Sequence, residues 1–85
     1  MSELDPLVAT PETLDARGLL CPLPVIRTQN CIKGLRPGAL LDIIATDPGA
    51  LHDIPAWCRI HGHDIVETHR HDREIRIRVR VCASH

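Results

Sequence analysis

Glu74-Ile75-Arg76-Ile77-Arg78-Val79-Arg80-Val81 alternates charged residues with β-branched aliphatic ones over eight positions. Successive side chains of a strand point to opposite faces. This period of two therefore predicts a strand with Ile75, Ile77, Val79 and Val81 buried and Arg76, Arg78 and Arg80 in water. His71-Asp72-Arg73 ahead of it reads as a hairpin turn. His63–Arg70 alternates less cleanly around Ile65 and Val66 and reads as the preceding strand, with Gly62 closing whatever comes before it.

Further back, Ala39-Leu40-Leu41-Asp42-Ile43-Ile44-Ala45-Thr46 is nearly all apolar, as a central strand covered on at least one face should be. Asp47-Pro48-Gly49 is a turn or helix entry, with Asp47 placed to accept from free N–H groups. A helix follows to about His61, burying Leu51, Ile54 and Cys58. Pro55 is awkward inside it, because a mid-helix proline removes one hydrogen bond. Either the helix begins late, near Leu51, or it kinks at Pro55. An earlier helix places Thr28, Cys31, Ile32 and Leu35 on one face and runs to about Leu35. Pro22 and Pro24 suit its first turn, and Gly34, Pro37 and Gly38 end it. Glu12–Arg17, with Leu14 and Ala16 alternating, is a short half-buried strand broken by Gly18.

The order is β-α-β-α-β-β, which gives an α/β fold. It is a two-layer α/β sandwich: a mixed four-stranded sheet with two helices on one face and the Arg stripe on the other. Residues 1–11 hold Pro6 and Pro11, show no period and read as a flexible lead-in. Residues 12–82 form the single domain, and 83–85 a tail.

Composition narrows the function. The chain has 85 residues, 44% hydrophobic, 25% charged and 1% aromatic. A domain this small buries roughly 60% of the surface its unfolded chain exposes, so it has little room for a deep pocket. Ten Lys+Arg against eleven Asp+Glu leave a net charge of −1, and no global field favours nucleic acid or an anionic membrane. No apolar run approaches the ~20 residues a bilayer requires. Met1–Thr10 has no basic start and carries Glu3, Asp5 and Pro6, unlike a secretory signal, so a cytoplasmic location is expected. In a reducing compartment Cys21, Cys31, Cys58 and Cys82 are not expected to form bridges, and they contain no C-x-x-C pair.

Cys21 stands apart because it immediately precedes a helix, at or near its N-cap. Unpaired N–H groups and the helix dipole favour an anion there, which lowers a thiol from its free value of ~8.5. Pro22 and Pro24 lack N–H groups but fix the direction in which the side chain projects. Gly18-Leu19-Leu20 forms a short apolar loop suited to contact with another protein. If 22–35 is one helix, Cys31 lies about 15 Å along it, far outside the ~7 Å Cα separation of a disulfide. Cys31 and Cys58 read as small hydrophobes, and nothing activates Cys82. A solitary exposed thiolate without an assigned base is suited to sulfur exchange: it accepts a sulfur atom as a persulfide and surrenders it to the next nucleophile.

The run Leu14-Asp15-Ala16-Arg17-Gly18-Leu19-Leu20-Cys21-Pro22-Leu23-Pro24-Val25 resembles the signature of the TusA family, also called SirA-like, of small sulfur carriers. Asp47-Pro48-Gly49-Ala50 and Asp53-Ile54-Pro55-Ala56-Trp57-Cys58-Arg59 resemble that family's second characteristic segment. The resemblance covers roughly residues 12–82. It implies the same β-α-β-α-β-β sandwich, with Cys21 as the sulfur-carrying residue and Pro22 and Pro24 as its motif support. The donor would be a cysteine desulfurase or a rhodanese-like protein, and the acceptor a downstream protein of tRNA thiolation, molybdenum cofactor formation or sulfur metabolism. No cofactor is implied. Asn30 and Cys31 depart from a stretch usually filled by Ala and basic residues, and Lys33 is the only lysine.

Two other signals compete. His61-Gly62-His63 and His69-Arg70-His71 suggest a metal site, but they fall at opposite ends of one strand, and solvated histidines with no metal are expected. Arg76, Arg78 and Arg80 suggest an RNA-binding face, but single-stranded RNA recognition leans on stacking aromatics and Trp57 is the only one. Direct nucleic-acid binding is not expected, nor is any membrane partner. The chain is expected to be a monomer. The remaining alternative is a thiol redox regulator in which Cys21 forms an intermolecular disulfide.

Overall fold

The computed structural model describes residues 11–82. Apart from Pro11, the expected lead-in lies outside the described residues, as does the tail at 83–85. The elements are β1 (Glu12–Ala16), α1 (Leu23–Ile32), β2 (Leu40–Ala45), α2 (Ala50–Ile60), β3 (Asp64–His71) and β4 (Glu74–Arg80). The sheet order is β1-β2-β4-β3. β1 and β2 are parallel, so the chain needs a crossover between them, and α1 supplies it. β4 runs antiparallel to both of its neighbours, which makes the sheet mixed.

Register explains which face is covered. Leu41, Ile43 and Ala45 of β2 stand opposite Val79, Ile77 and Ile75 of β4, and all six are buried. Ile32 from α1 and Ala50, Ile54 and Cys58 from α2 close over them. α1 lies over β1 and β2, and α2 over β3 and β4. The intervening residues Asp42 and Ile44 face the other side, opposite Arg78 and Arg76.

Two local details, in α1 and β3, depart from the expected outlines, and α2 follows one of the two alternatives. α1 ends at Ile32 rather than near Leu35, because Gly34 and Leu35 donate to the carbonyls of Cys31 and Ile32 in tight i→i−3 turns. α2 begins at Ala50, beside Leu51, and keeps Pro55 inside as its sixth residue. The ring removes the N–H that would have reached the Leu51 carbonyl. β3 contains a bulge: Ile65 pairs with Val79 while Glu67 already pairs with Arg78, and Val66 is the extra residue. That insertion is the physical reason for the poor alternation of this strand in the sequence.

Candidate functional site around Cys21

Cys21 sits where the C-terminal ends of β1 and β2 meet the starts of both helices. Gly18, at φ +79°, turns the chain out of β1, and its N–H donates to Thr46 Oγ1 at 2.8 Å. Asp47, just beyond β2, makes the second tie. Its Oδ2 accepts the Cys21 N–H at 2.7 Å and its Oδ1 accepts the Gly49 N–H at 3.1 Å. These bonds hold the Asp47 carboxyl below the usual carboxylate range, the Cys21 bond first. The thiol is therefore mounted on a loop pinned to the β2–α2 turn.

The sulfur meets a carboxylate. Cys21 Sγ lies 2.6 Å from Asp53 Oδ2, in the first turn of α2, and the thiol donates to it. This bond, followed by desolvation and the charge of Asp53 and then Asp47, raises the Cys21 pKa to about 11. The expected lowering is thus overturned, and the reason lies at the start of α1. Helix geometry begins only at Leu23, with Pro22 as the N-cap. Pro22 and Pro24 have no N–H, Leu23 N–H donates to the Leu20 carbonyl, and those of Val25 and Ile26 donate to the Pro22 carbonyl. No donor of that first turn faces the sulfur, while two carboxylates do.

The two prolines differ in place. Pro22 is exposed at the helix boundary, whereas Pro24 is buried and its carbonyl accepts the Thr28 hydroxyl at 2.8 Å. Around the half-buried Cys21 lie exposed aliphatic residues: Leu20 at 71%, Leu23 at 44% and Ile26 at 44%. In the sequence Asp47 reads as part of a helix entry, whereas Asp53 has no role of its own. Its only sequence signal was membership of the second characteristic segment.

A family model described as Sulfurtransferase TusA matches residues 12–81. The chain belongs to the TusA family. The Sulfur carrier protein TusA of Pseudomonas aeruginosa PAO1 is 52% identical over 54 residues, covering 64% of this chain and 68% of the relative. That of Pseudomonas fluorescens SBW25 is 49% identical over 55 residues, covering 65% and 66%. The crystal structure of a SirA-like protein from Desulfitobacterium hafniense superposes with a TM-score of 0.74 at 20% identity, covering 87% of this chain and all of that one. This likeness shows a shared α/β fold. Both segments of the TusA signature, around Cys21 and around Asp47–Asp53, come together at one end of this TusA-family sheet.

The other cysteines of this TusA-family chain lie elsewhere. Burial raises the thiol of Cys31, and that of Cys58 to about 11. All four cysteines are free. Of the histidines, His63 departs from the solvated reading. It is buried, stacks on Trp57 with ring centroids 5.7 Å apart, and its Nδ1 accepts the Cys82 N–H at 3.0 Å. Among the described residues no group of three or more His, Cys, Asp or Glu is placed to hold a metal ion. Nor is any helix among them long and apolar enough to cross a membrane. On the open face Arg78 forks onto Asp42, Nε to Oδ1 at 2.7 Å and Nη2 to Oδ2 at 2.9 Å, so the middle of the Arg stripe is neutralised within the fold.

Proposed function

We propose that this chain is a persulfide-relay protein in which Cys21 carries the sulfur, receiving it from a cysteine desulfurase or rhodanese-like donor and delivering it to an acceptor protein. Membership of a sulfur-carrier family supports sulfur transfer in general. The observation that carries the assignment to Cys21 is its place: a part-exposed thiol on a doubly tied loop, rimmed by exposed aliphatic residues. The Cys21 sulfur attacks the outer sulfur of a donor persulfide. The donor's S–S bond breaks, an S–S bond forms on Cys21, and the broken bond's electron pair leaves on the donor sulfur. The Cys21 proton ends on that sulfur, so Cys21–SH and donor–S–SH become Cys21–S–SH and donor–SH with no external oxidant. Partner surfaces, rather than an enclosed pocket, select the reaction. The setting is cytoplasmic, with the chain acting as a monomer.

Incubation with a cysteine desulfurase and cysteine is expected to add one sulfur atom to the protein, seen by intact mass and removed by a reductant. Cys21→Ser is expected to abolish the addition. Equal loading of the Ser variant would overturn the assignment.

A further inference from the structure

Asp53 is the unexplained charge of this site. Its Oδ2 lies 2.6 Å from Cys21 Sγ, and Asp47 stands beside the same residue with its Oδ2 on the Cys21 N–H. Elsewhere most of the described acidic side chains have a guanidinium near them: Asp15 with Arg17, Asp42 and Glu67 with Arg78, Asp64 with Arg80, Glu74 with Arg17. Among the described residues no Lys, Arg or His nitrogen lies within 4.0 Å of Asp47 or Asp53. Asp53 is exposed, and the exposed aliphatic residues Leu20 and Leu23 flank in sequence the cysteine that it touches. An uncompensated carboxylate bonded to the reactive atom, inside a surface that a partner must cover, is incomplete in the free protein.

We propose that Asp53 is a positioning and partner-selecting residue: it holds the resting Cys21 as a neutral thiol, and a cationic side chain of the sulfur-exchanging partner engages it to release the sulfur for attack. This rests on the reading of Cys21 as the sulfur-carrying residue. A carboxylate beside a forming thiolate is repulsive, and burying it under a partner without a counter-charge leaves an unpaired anion in a desolvated interface. A guanidinium or ammonium group on Asp53 removes both penalties at once. It also competes for the oxygen that the thiol uses. The Cys21 proton then passes to the departing donor thiolate, which completes the exchange described above. Partners without such a cation meet a protonated, poorly nucleophilic sulfur, so the same contact restrains unprogrammed oxidation.

Small disulfides test this without any sulfane-sulfur chemistry, so the outcome is separable from that of the desulfurase experiment. Cys21 is the only cysteine of the tryptic peptide Gly18–Arg27, whose mass reports mixed-disulfide formation at this residue alone. Dicationic cystamine and neutral 2-hydroxyethyl disulfide are compared at neutral pH on the parent and on Asp53→Asn, with circular dichroism confirming that both are folded. The raised thiol makes the parent slow toward the neutral reagent. Loss of the Asp53 hydrogen bond and charge lowers the thiol in D53N, which raises the thiolate fraction by more than it lowers the intrinsic nucleophilicity, a net acceleration of several-fold. The rate ratio of cystamine to the neutral reagent is expected to be several-fold higher in the parent than in D53N, and Asp53→Glu to restore part of it. An unchanged ratio would overturn cation selection by Asp53, and an unaccelerated D53N would overturn its hold on the thiol.

Discussion

At the scale of single residues, two aspartates divide the work around one sulfur. Asp53 touches Sγ, while Asp47 holds the backbone on which Sγ is mounted. Asp47→Ala is therefore expected to loosen the loop rather than change the thiol's immediate partner. The Cys21 and Gly49 amides should exchange with solvent roughly ten-fold faster or more at neutral pH, read by hydrogen–deuterium exchange. In the parent the same protection should weaken on acidification. Asp47 lies below the ordinary carboxylate range, so its bonds contribute fully above that range and are lost as pH falls through its folded value. Cys21 itself was legible from its place before a proline-bearing helix. Its protonation was not, because the group that sets it is 32 residues away in the chain.

Among the elements, His63, the residue before β3, is tied to the segment after β4. Burial first, then the neighbouring charge of His61, lowers its pKa, and Nδ1 accepts from the Cys82 N–H. The neutral ring is the folded form. The unfolded chain thus takes up a proton first as pH falls below ~6.5, and stability declines until the folded value is passed. Thermal unfolding is expected to show a midpoint that falls as pH drops through about 6.5, and His63→Gln should flatten that limb. In the sequence His61-Gly62-His63 reads as a pair of solvated histidines. What buries the second ring is Trp57, brought over it by α2. The bulge at Val66 has a similar origin: strand pairing with β4, not the local pattern, fixes which residue is extra.

Over the whole molecule the chemistry and the stability lie at different places in the sheet. The Cys21 end gathers the C-terminal ends of the parallel strands, and the opposite end holds a groove of about 410 Å³ lined by Ile32, Trp57, His63 and Val81 among others. Between them the core is aliphatic and thin, with β4 at its centre. Ile77 is fully buried, opposite Ile43 and flanked by Thr68 of β3. Ile77→Ala is expected to cost roughly 2–5 kcal/mol in urea unfolding followed by Trp57 fluorescence, a large fraction of the ~5–15 kcal/mol typical of a domain.

The amino-acid sequence by itself determined the order of elements, the face that β4 buries and the cysteine worth following. Those depend on short-range periodicity and on proline and glycine chemistry, which neighbouring residues already contain. Only the tertiary structure decided the state of that cysteine. Parallel pairing of β1 with β2 brings the loop before α1 against the first turn of α2, and so sets Asp47 and Asp53 on Cys21. The proline-rich helix start, read locally as an anion site, offers the sulfur no donor, and the charge that replaces it arrives from a segment the local pattern does not reach.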